Sequence, residues 1–411
     1  MEPTQLSSQK ILIILDLFAR HSSGERTKEL FLAAKTFCAN NAVPEFLESN
    51  FALTPYGRRL WPKLHEMNAA LNATNRLLLA DGDGESGSIF VVGSAHFDII
   101  ATYDAGQSGY RDKVGRLSFS VGGTGFHVAS ELAKHGRQVA LATFLNGNSL
   151  TSDSIFNAMR DAGIETSFIQ FYQGPEESAF VAHVCGEEMV SAVSHMHVET
   201  CQFATDMLVK GVSSSSVVIA DTNLSAGQIA TLAEICSVYA RPLFLAAVSE
   251  PKLSRIFDAR MPSFLVAMND QEFRSAGLSS DNEQAIAAAC GKLRTQLIVV
   301  TMGSEGYRLM GASGWLTHFN APKAASIVST NGAGDALLAA LASYYVQNAN
   351  GGANPESVEF WAGCESVVAD FVIPCLAARA ALLTPFIQTM LPVHDELPAK
   401  EEKRGFWRLR K

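Results

Sequence analysis

Charge is scarce in this chain. Asp, Glu, Lys and Arg make up 18% of its 411 residues, against roughly 25% in an average soluble domain. That deficit excludes a disordered polyelectrolyte and a coiled coil, which both carry charge along most of their length. An excess of basic charge is missing too. The balance of 32 Lys and Arg against 41 Asp and Glu leaves −9, a poor match for a polyanion, so nucleic acid is not expected as the main partner. No stretch approaches the ~18 consecutive apolar residues of a membrane span. The apolar segment nearest the start, Ile11 to Phe18, is short, contains Asp16 and is preceded by Lys10 alone, so it does not read as a signal peptide. The seven cysteines are odd in number and scattered, with no Cys-x-x-Cys pair. This argues against a disulfide framework or a zinc ribbon and for a reducing cytoplasm.

What is present is apolar. Hydrophobic residues make up 47% of the chain, enough for a large buried core, and the length suits two or three domains. The polar, glycine-rich stretch Asp81-Gly-Asp-Gly-Glu-Ser-Gly-Ser88 reads as a linker, residues 81–88. Before it, residues 1–80 show helical spacing at Ile11, Ile14, Leu15 and Phe18 and again from Leu60 to Leu71. Phe51 to Leu60 is like the end of a winged helix-turn-helix, with Arg58 and Arg59 as DNA contacts. Residues 1–88 nevertheless carry nine basic and ten acidic residues, so a packing or dimerising role is the stronger expectation. From residue 89 the pattern becomes strand then helix, repeated. Ile89-Phe-Val-Val-Gly, Gln138 to Phe144, Val217 to Ala220, Leu243 to Val248 and Leu297 to Thr301 are apolar runs of buried strands. Phe126 to His135, Gly227 to Val238 and Asp335 to Tyr345 have helical spacing. Such alternation predicts a mostly parallel sheet with helices on both faces and a ligand site at the carboxyl ends of the strands. Residues 393–411 form a tail with six Lys or Arg after position 399, expected to be solvated.

The chemistry concentrates in Ser329-Thr-Asn-Gly-Ala-Gly-Asp335, which runs straight into an alanine- and leucine-rich helix. Small residues admit a ligand close to the backbone, and the unpaired N–H groups at a helix start attract an anion. An acid at the edge of such a site can take a proton from an attacking hydroxyl while the amides hold a transferring phosphoryl group. It can equally be a mere helix cap.

The fuller string resembles the second signature of the ribokinase, or PfkB, family of carbohydrate kinases. Other pieces follow in that family's order: Val91-Val-Gly-Ser-Ala-His-Phe-Asp98, the di-glycine stretch Val121 to Gly136, Asn269-Asp-Gln-Glu272 and Thr301-Met-Gly-Ser-Glu-Gly306. The resemblance covers roughly residues 88–392 and is closest to the pseudouridine kinase branch, on Ile219-Ala-Asp-Thr-Asn-Leu-Ser, Ala247-Val-Ser-Glu and Glu188 to His197. Some relatives also carry a small helix-turn-helix module before the kinase domain.

The resemblance implies a three-layer α/β/α fold with a small β lid over residues 89–392, and an ATP- and Mg²⁺-dependent phosphotransferase acting on a sugar or nucleoside. It implies Asp335 as base, with Gly332, Ala333 and Gly334 as anion hole. The nucleotide would lie along Asn269, Thr301, Gly303, Ser304, Gly306 and Gly334, and Mg²⁺ would be organised by Glu272. The sugar would be held by His96, Asp98, Gly122, Gly123 and His127. A lid from residues 99–121 and 178–197 would exclude water, and pairing through lids would give a homodimer.

The departures from the family pattern also cluster. His96 and His127 stand where asparagine is common. Ser194, His195 and His197 replace polar Asn/Asp positions, Ser329 replaces an acid, and Ala246 replaces an expected Asp. All lie on the substrate side or its support, so the expectation divides between a changed specificity and a weakened, ligand-sensing site. The four histidines are expected to hydrogen-bond a substrate; gathering a transition metal is the lesser alternative.

Overall fold

The computed structural model describes residues 87–377, apart from 108, 110, 148, 187, 328 and 329. The helical module of residues 1–80, nearly all of the linker, Ser329, and the tail with its basic residues lie outside the described residues.

Nine strands build the main sheet, in the order β13-β12-β11-β10-β9-β8-β1-β4-β5. They are β1 (Ile89–Val92), β4 (Val139–Asn146), β5 (Ile169–Tyr172), β8 (Val217–Asp221), β9 (Leu243–Ala246), β10 (Ser263–Asn269), β11 (Thr295–Thr301), β12 (Tyr307–Gly311) and β13 (Leu316–Phe319). Pairing is parallel from β5 through β11 and antiparallel only at the β11-β12-β13 edge. Period-two alternation sends neighbouring residues of one strand to opposite faces. Ile89 and Val91 thus enter one buried core and Phe90 and Val92 the other. A sheet covered on both faces requires such unbroken apolar strands. The alternation read from the sequence is therefore borne out as a three-layer fold.

Five helices set the site: α1 (Thr124–Lys134), α2 (Glu250–Ala259), α3 (Asp270–Ser275), α4 (Ala333–Asn348) and α5 (Glu365–Ala377). Leu132 of α1, Leu338 and Leu341 of α4, and Phe371 of α5 pack into the first core. Leu253 and Ile256 of α2 and Phe273 of α3 pack into the second. The turn before α1 depends on Gly123, whose φ is 108° and whose missing Cβ leaves room for the Ser94 carbonyl.

Beside the main sheet stands a second one of four strands, β3-β2-β6-β7. It consists of β2 (His96–Tyr103), β3 (Gly115–Gly122), β6 (Ala179–Cys185) and β7 (Glu188–His195), which matches the expected lid segments. Its outer strands carry apolar side chains into solvent: Leu117 is 63% exposed and Val193 71%. None of the helices described is long and apolar enough to cross a membrane.

Candidate active site

The strand order reverses at β1, which sits between β8 and β4. Ligands in open α/β sheets bind at such a switch point, beyond the carboxyl ends of the strands. A cavity of about 470 Å³ lies there, between the lid and the N-terminus of α4. From the lid side it is lined by His96, Asp98, Phe180, Ser194 and Met196, and from the sheet side by Asn223, Ala246, Lys252, Asn269, Glu272 and Thr301. Gly123 and His127 of the α1 entry, with Gly332, Gly334 and Asp335 of the α4 entry, complete it.

Gly332 is the N-cap of α4, with φ 81°, and no side chain caps that end. A 16-residue helix thus turns the positive end of its dipole toward the cavity, with Gly332 and Gly334 on its wall, while the Ala333 N–H donates to the Thr330 carbonyl at 3.3 Å. Asp335 is therefore not a cap. Its Oδ2 lies 3.1 Å from Nδ1 of His127. Burial on its own would lower the pKa of His127, but the Asp335 hydrogen bond and charge, then the charge of Asp98, then the Val121 carbonyl, outweigh it and raise the value. The imidazole is thereby held toward its cationic form beside the acid.

On the lid side, His96 Nε2 lies 3.0 Å from Asp98 Oδ1. Beyond that ion pair Asp98 Oδ1 makes no hydrogen bond, and His96 Nδ1 is buried without one. Buried groups of this kind carry a desolvation cost that an incoming donor or acceptor relieves. Gly122 does not line the cavity; it makes room for Asp98, whose carboxylate occupies the place of a Cβ.

The Asn269 and Glu272 pair forms a capping box at the start of α3. Asn269 Oδ1 accepts from the Glu272 N–H at 2.8 Å, and Glu272 Oε2 accepts from the Asn269 N–H at 2.8 Å. Burial pushes the Glu272 carboxyl up, the direction in which a nearby cation becomes more welcome. Oxygen donors, an acid and an amide carbonyl, are the set a hard divalent cation such as Mg²⁺ takes. Asn269 pairs in register with Thr301 on β11. Gly303, Ser304 and Gly306 form the turn just beyond it, outside the cavity lining; Gly306, at φ 95°, has the Phe319 carbonyl where a Cβ would be.

The sequence reading gave no role to Asp221, Asn223 or Lys252. Asp221, at the end of β8, is fully buried and binds four donors: the Ser94 N–H (2.8 Å), the Ser94 hydroxyl (3.0 Å), the Gly125 N–H (3.0 Å) and the Asn223 N–H (2.8 Å). Burial raises its pKa, and those hydrogen bonds pull the other way. Asn223 donates to the Ser94 hydroxyl and accepts from Lys252 Nζ at 2.6 Å. This network ties the β1 turn, the start of α1 and the first turn of α2 together under the cavity. The available signal was a strand ending in Asp-Thr-Asn where a ligand site is expected. Of the remaining altered positions, Ala246 and Ser194 line the cavity, whereas His195 and His197 meet Glu176 outside it.

Residues 86–362 match the profile of the pfkB family carbohydrate kinases. The chain belongs to this family. The pfkB-type chain is 25% identical to the pseudouridine kinase of Escherichia coli K12 over 294 residues, spanning 69% of this chain and 90% of that protein. In fold it is similar to the ribokinase of Arabidopsis thaliana solved with ribose and ATP. The TM-score is 0.59 at 18% identity, covering 72% of this chain and 94% of that one. The ribokinase of Giardia lamblia gives a TM-score of 0.59 at 14% identity, covering 71% and 95%. The pfkB chain is thus a ribokinase-like carbohydrate or nucleoside kinase.

Proposed function

We propose that this kinase transfers the terminal phosphoryl group of ATP, with Mg²⁺, to a hydroxyl of a nucleoside, pseudouridine foremost. The observation that carries the reading is Asp335, at the start of its helix on the wall of the cavity that His96 and Asp98 line from the lid. The relationship to a pseudouridine kinase over most of that protein's length supports the nucleoside. Asp98 and His96, which line the cavity from the lid, take up substrate hydroxyls. Asp335 accepts the proton of the reacting hydroxyl, and the amides of Gly332, Ala333 and Gly334 stabilise the charge on the transferring group. MgATP supplies that group and the cation that offsets its charge. Glu272 and Asn269 hold the cation through water, and Thr301 with Gly303, Ser304 and Gly306 flanks the nucleotide. The lid excludes water as it closes. The exposed apolar residues of β3 and β7 support pairing of two lids in a homodimer. Free thiols at Cys185, Cys201, Cys236, Cys290, Cys364 and Cys375 fit a cytoplasmic setting.

The test is ADP release by the purified protein with MgATP over a panel of nucleosides and sugars, with Asp335→Ala alongside. Turnover on pseudouridine is expected, and the variant should lose about 10²–10⁴-fold in kcat while binding ATP as before. Comparable turnover by Asp335→Ala would overturn the base. Turnover on another panel member alone would overturn the substrate.

A further inference from the structure

Two of the substrate-side histidines belong to a different place. At the end of β7 residues alternate in direction, so Ser194 and Met196 line the cavity while His195 and His197 turn away from it. There they meet Glu176, from the connection between β5 and β6. His195 Nε2 lies 3.3 Å from Glu176 Oε2. The two imidazole rings stand edge to face with centroids 4.8 Å apart. One nitrogen from each ring and one Glu176 carboxylate oxygen all fall within 4.8 Å of one another.

This arrangement is poorly explained by protein contacts alone. Two imidazolium ions so close would repel, and two neutral rings gain only the modest attraction of an edge-to-face pair, which leaves their ring-nitrogen lone pairs unused. An exposed His–Glu pair contributes little on its own. The cluster is nevertheless held in place. The His197 ring packs against Tyr172, tilted by 33° with centroids 3.7 Å apart, its Nε2 reaches the Glu176 carbonyl at 3.1 Å, and its backbone N–H donates to Ser178 Oγ at 3.0 Å. With the proton on Nε2, Nδ1 keeps its lone pair, the division of labour that a carbonyl imposes on a metal-binding histidine. The 3.3 Å between His195 Nε2 and Glu176 Oε2 is also the edge of a tetrahedron with bonds of about 2.0 Å.

We propose that Glu176, His195 and His197 form a peripheral site for a borderline divalent cation of the first transition row, zinc, cobalt or nickel. Two imidazoles and a carboxylate are the ligands that such ions prefer, with water completing the shell. The site is separate from the phosphoryl-transfer cavity. A cation there fastens the last lid strand to the β5–β6 connection, directly behind Ser194 and Met196.

The test is direct binding by the untagged full-length protein, in excess Mg²⁺, following the visible spectrum of Co²⁺ and then its displacement by Zn²⁺. A single equivalent with a nitrogen- and oxygen-ligated tetrahedral spectrum is expected. His195→Ala and Glu176→Gln should each weaken it by about tenfold or more, and His183→Ala, on β6 beside Ser191, should leave it unchanged. Thermal unfolding checks that each variant is folded. Absence of that equivalent in the wild type, or its persistence in folded His195→Ala, would overturn the site. No substrate is needed, so the result stands apart from the assignment of the kinase reaction.

Discussion

With Asp335 as the proposed base, its contact with His127 predicts a kinase sensitive to pH, and His127→Asn should expose the effect. If Asp335 is the base, as proposed, it gives up its charge on accepting the substrate proton, and with it the attraction of a cationic His127. A hydrogen bond to a charged group is worth about 1.5–3 kcal/mol. The two side chains are 28% and 21% exposed, which places this pair at the lower end, about 1.5 kcal/mol. With half to all of that lost in the transition state, the protonated form should turn over about 3- to 12-fold more slowly than the neutral one. The pKa of His127 is raised from 6.5, so kcat should climb as pH rises through a value above that figure. His127→Asn removes the cation and should flatten the profile of kcat between about pH 5.5 and pH 8.5.

The same shift bears on stability with a definite sign. A group whose folded pKa is raised adds stability in full below its unfolded pKa, and loses it as pH rises through the folded value. The excess in melting temperature of the wild type over His127→Asn should therefore be largest in acid and shrink toward alkaline pH. ADP release under saturating substrates and thermal unfolding, each across the pH series, supply both readouts. A wild-type kcat that is flat over this range, or a variant that keeps the full slope, would refute the coupling.

Asp221→Ala leaves four donors facing a void, and denaturant unfolding should show a loss of at least about 3 kcal/mol; a loss below about 1 kcal/mol would mean that the network under the cavity is not structural. Val193→Asp places a charge on the most exposed apolar position of β7, and light scattering should show a wild-type dimer becoming a monomer. A monomeric wild type, or a variant that stays dimeric, would remove the lid-pairing reading.

The parts of this molecule legible in its sequence are those whose signal is local. Ile89 to Val92 must be a doubly buried strand because four apolar residues in a row have no polar face to show. Gly332 to Asp335 must be a turn into a helix because the residues are small and a long apolar helix follows. The lid segments followed from the family resemblance, and the cavity from the rule on strand ends. What stayed hidden depends on partners distant in sequence. Asp221 has one donor close by at Asn223 but finds the others at Ser94 and Gly125, 127 and 96 residues away, so the Asp-Thr-Asn strand end marks the place without showing what Asp221 ties together.

The same logic separates the four substituted histidines, which look alike as departures from a family pattern. His96 is left with an unpartnered nitrogen beside Asp98, His127 is engaged by Asp335, and His195 and His197 face Glu176 on the far side of the strand. Only the first two can bear on the reacting substrate, by binding it and by setting the charge beside its base. A changed specificity therefore does not need all of the altered positions, and the base-side geometry survives the changes intact. The pairing of Asp335 with His127 and the place of Asp98 in the cavity lining support the proposed phosphoryl transfer over a decayed sugar site. On the proposed reading, the substitutions at His96 and Ser194 would change which substrate hydroxyls the lid side accepts while leaving the proposed base in place.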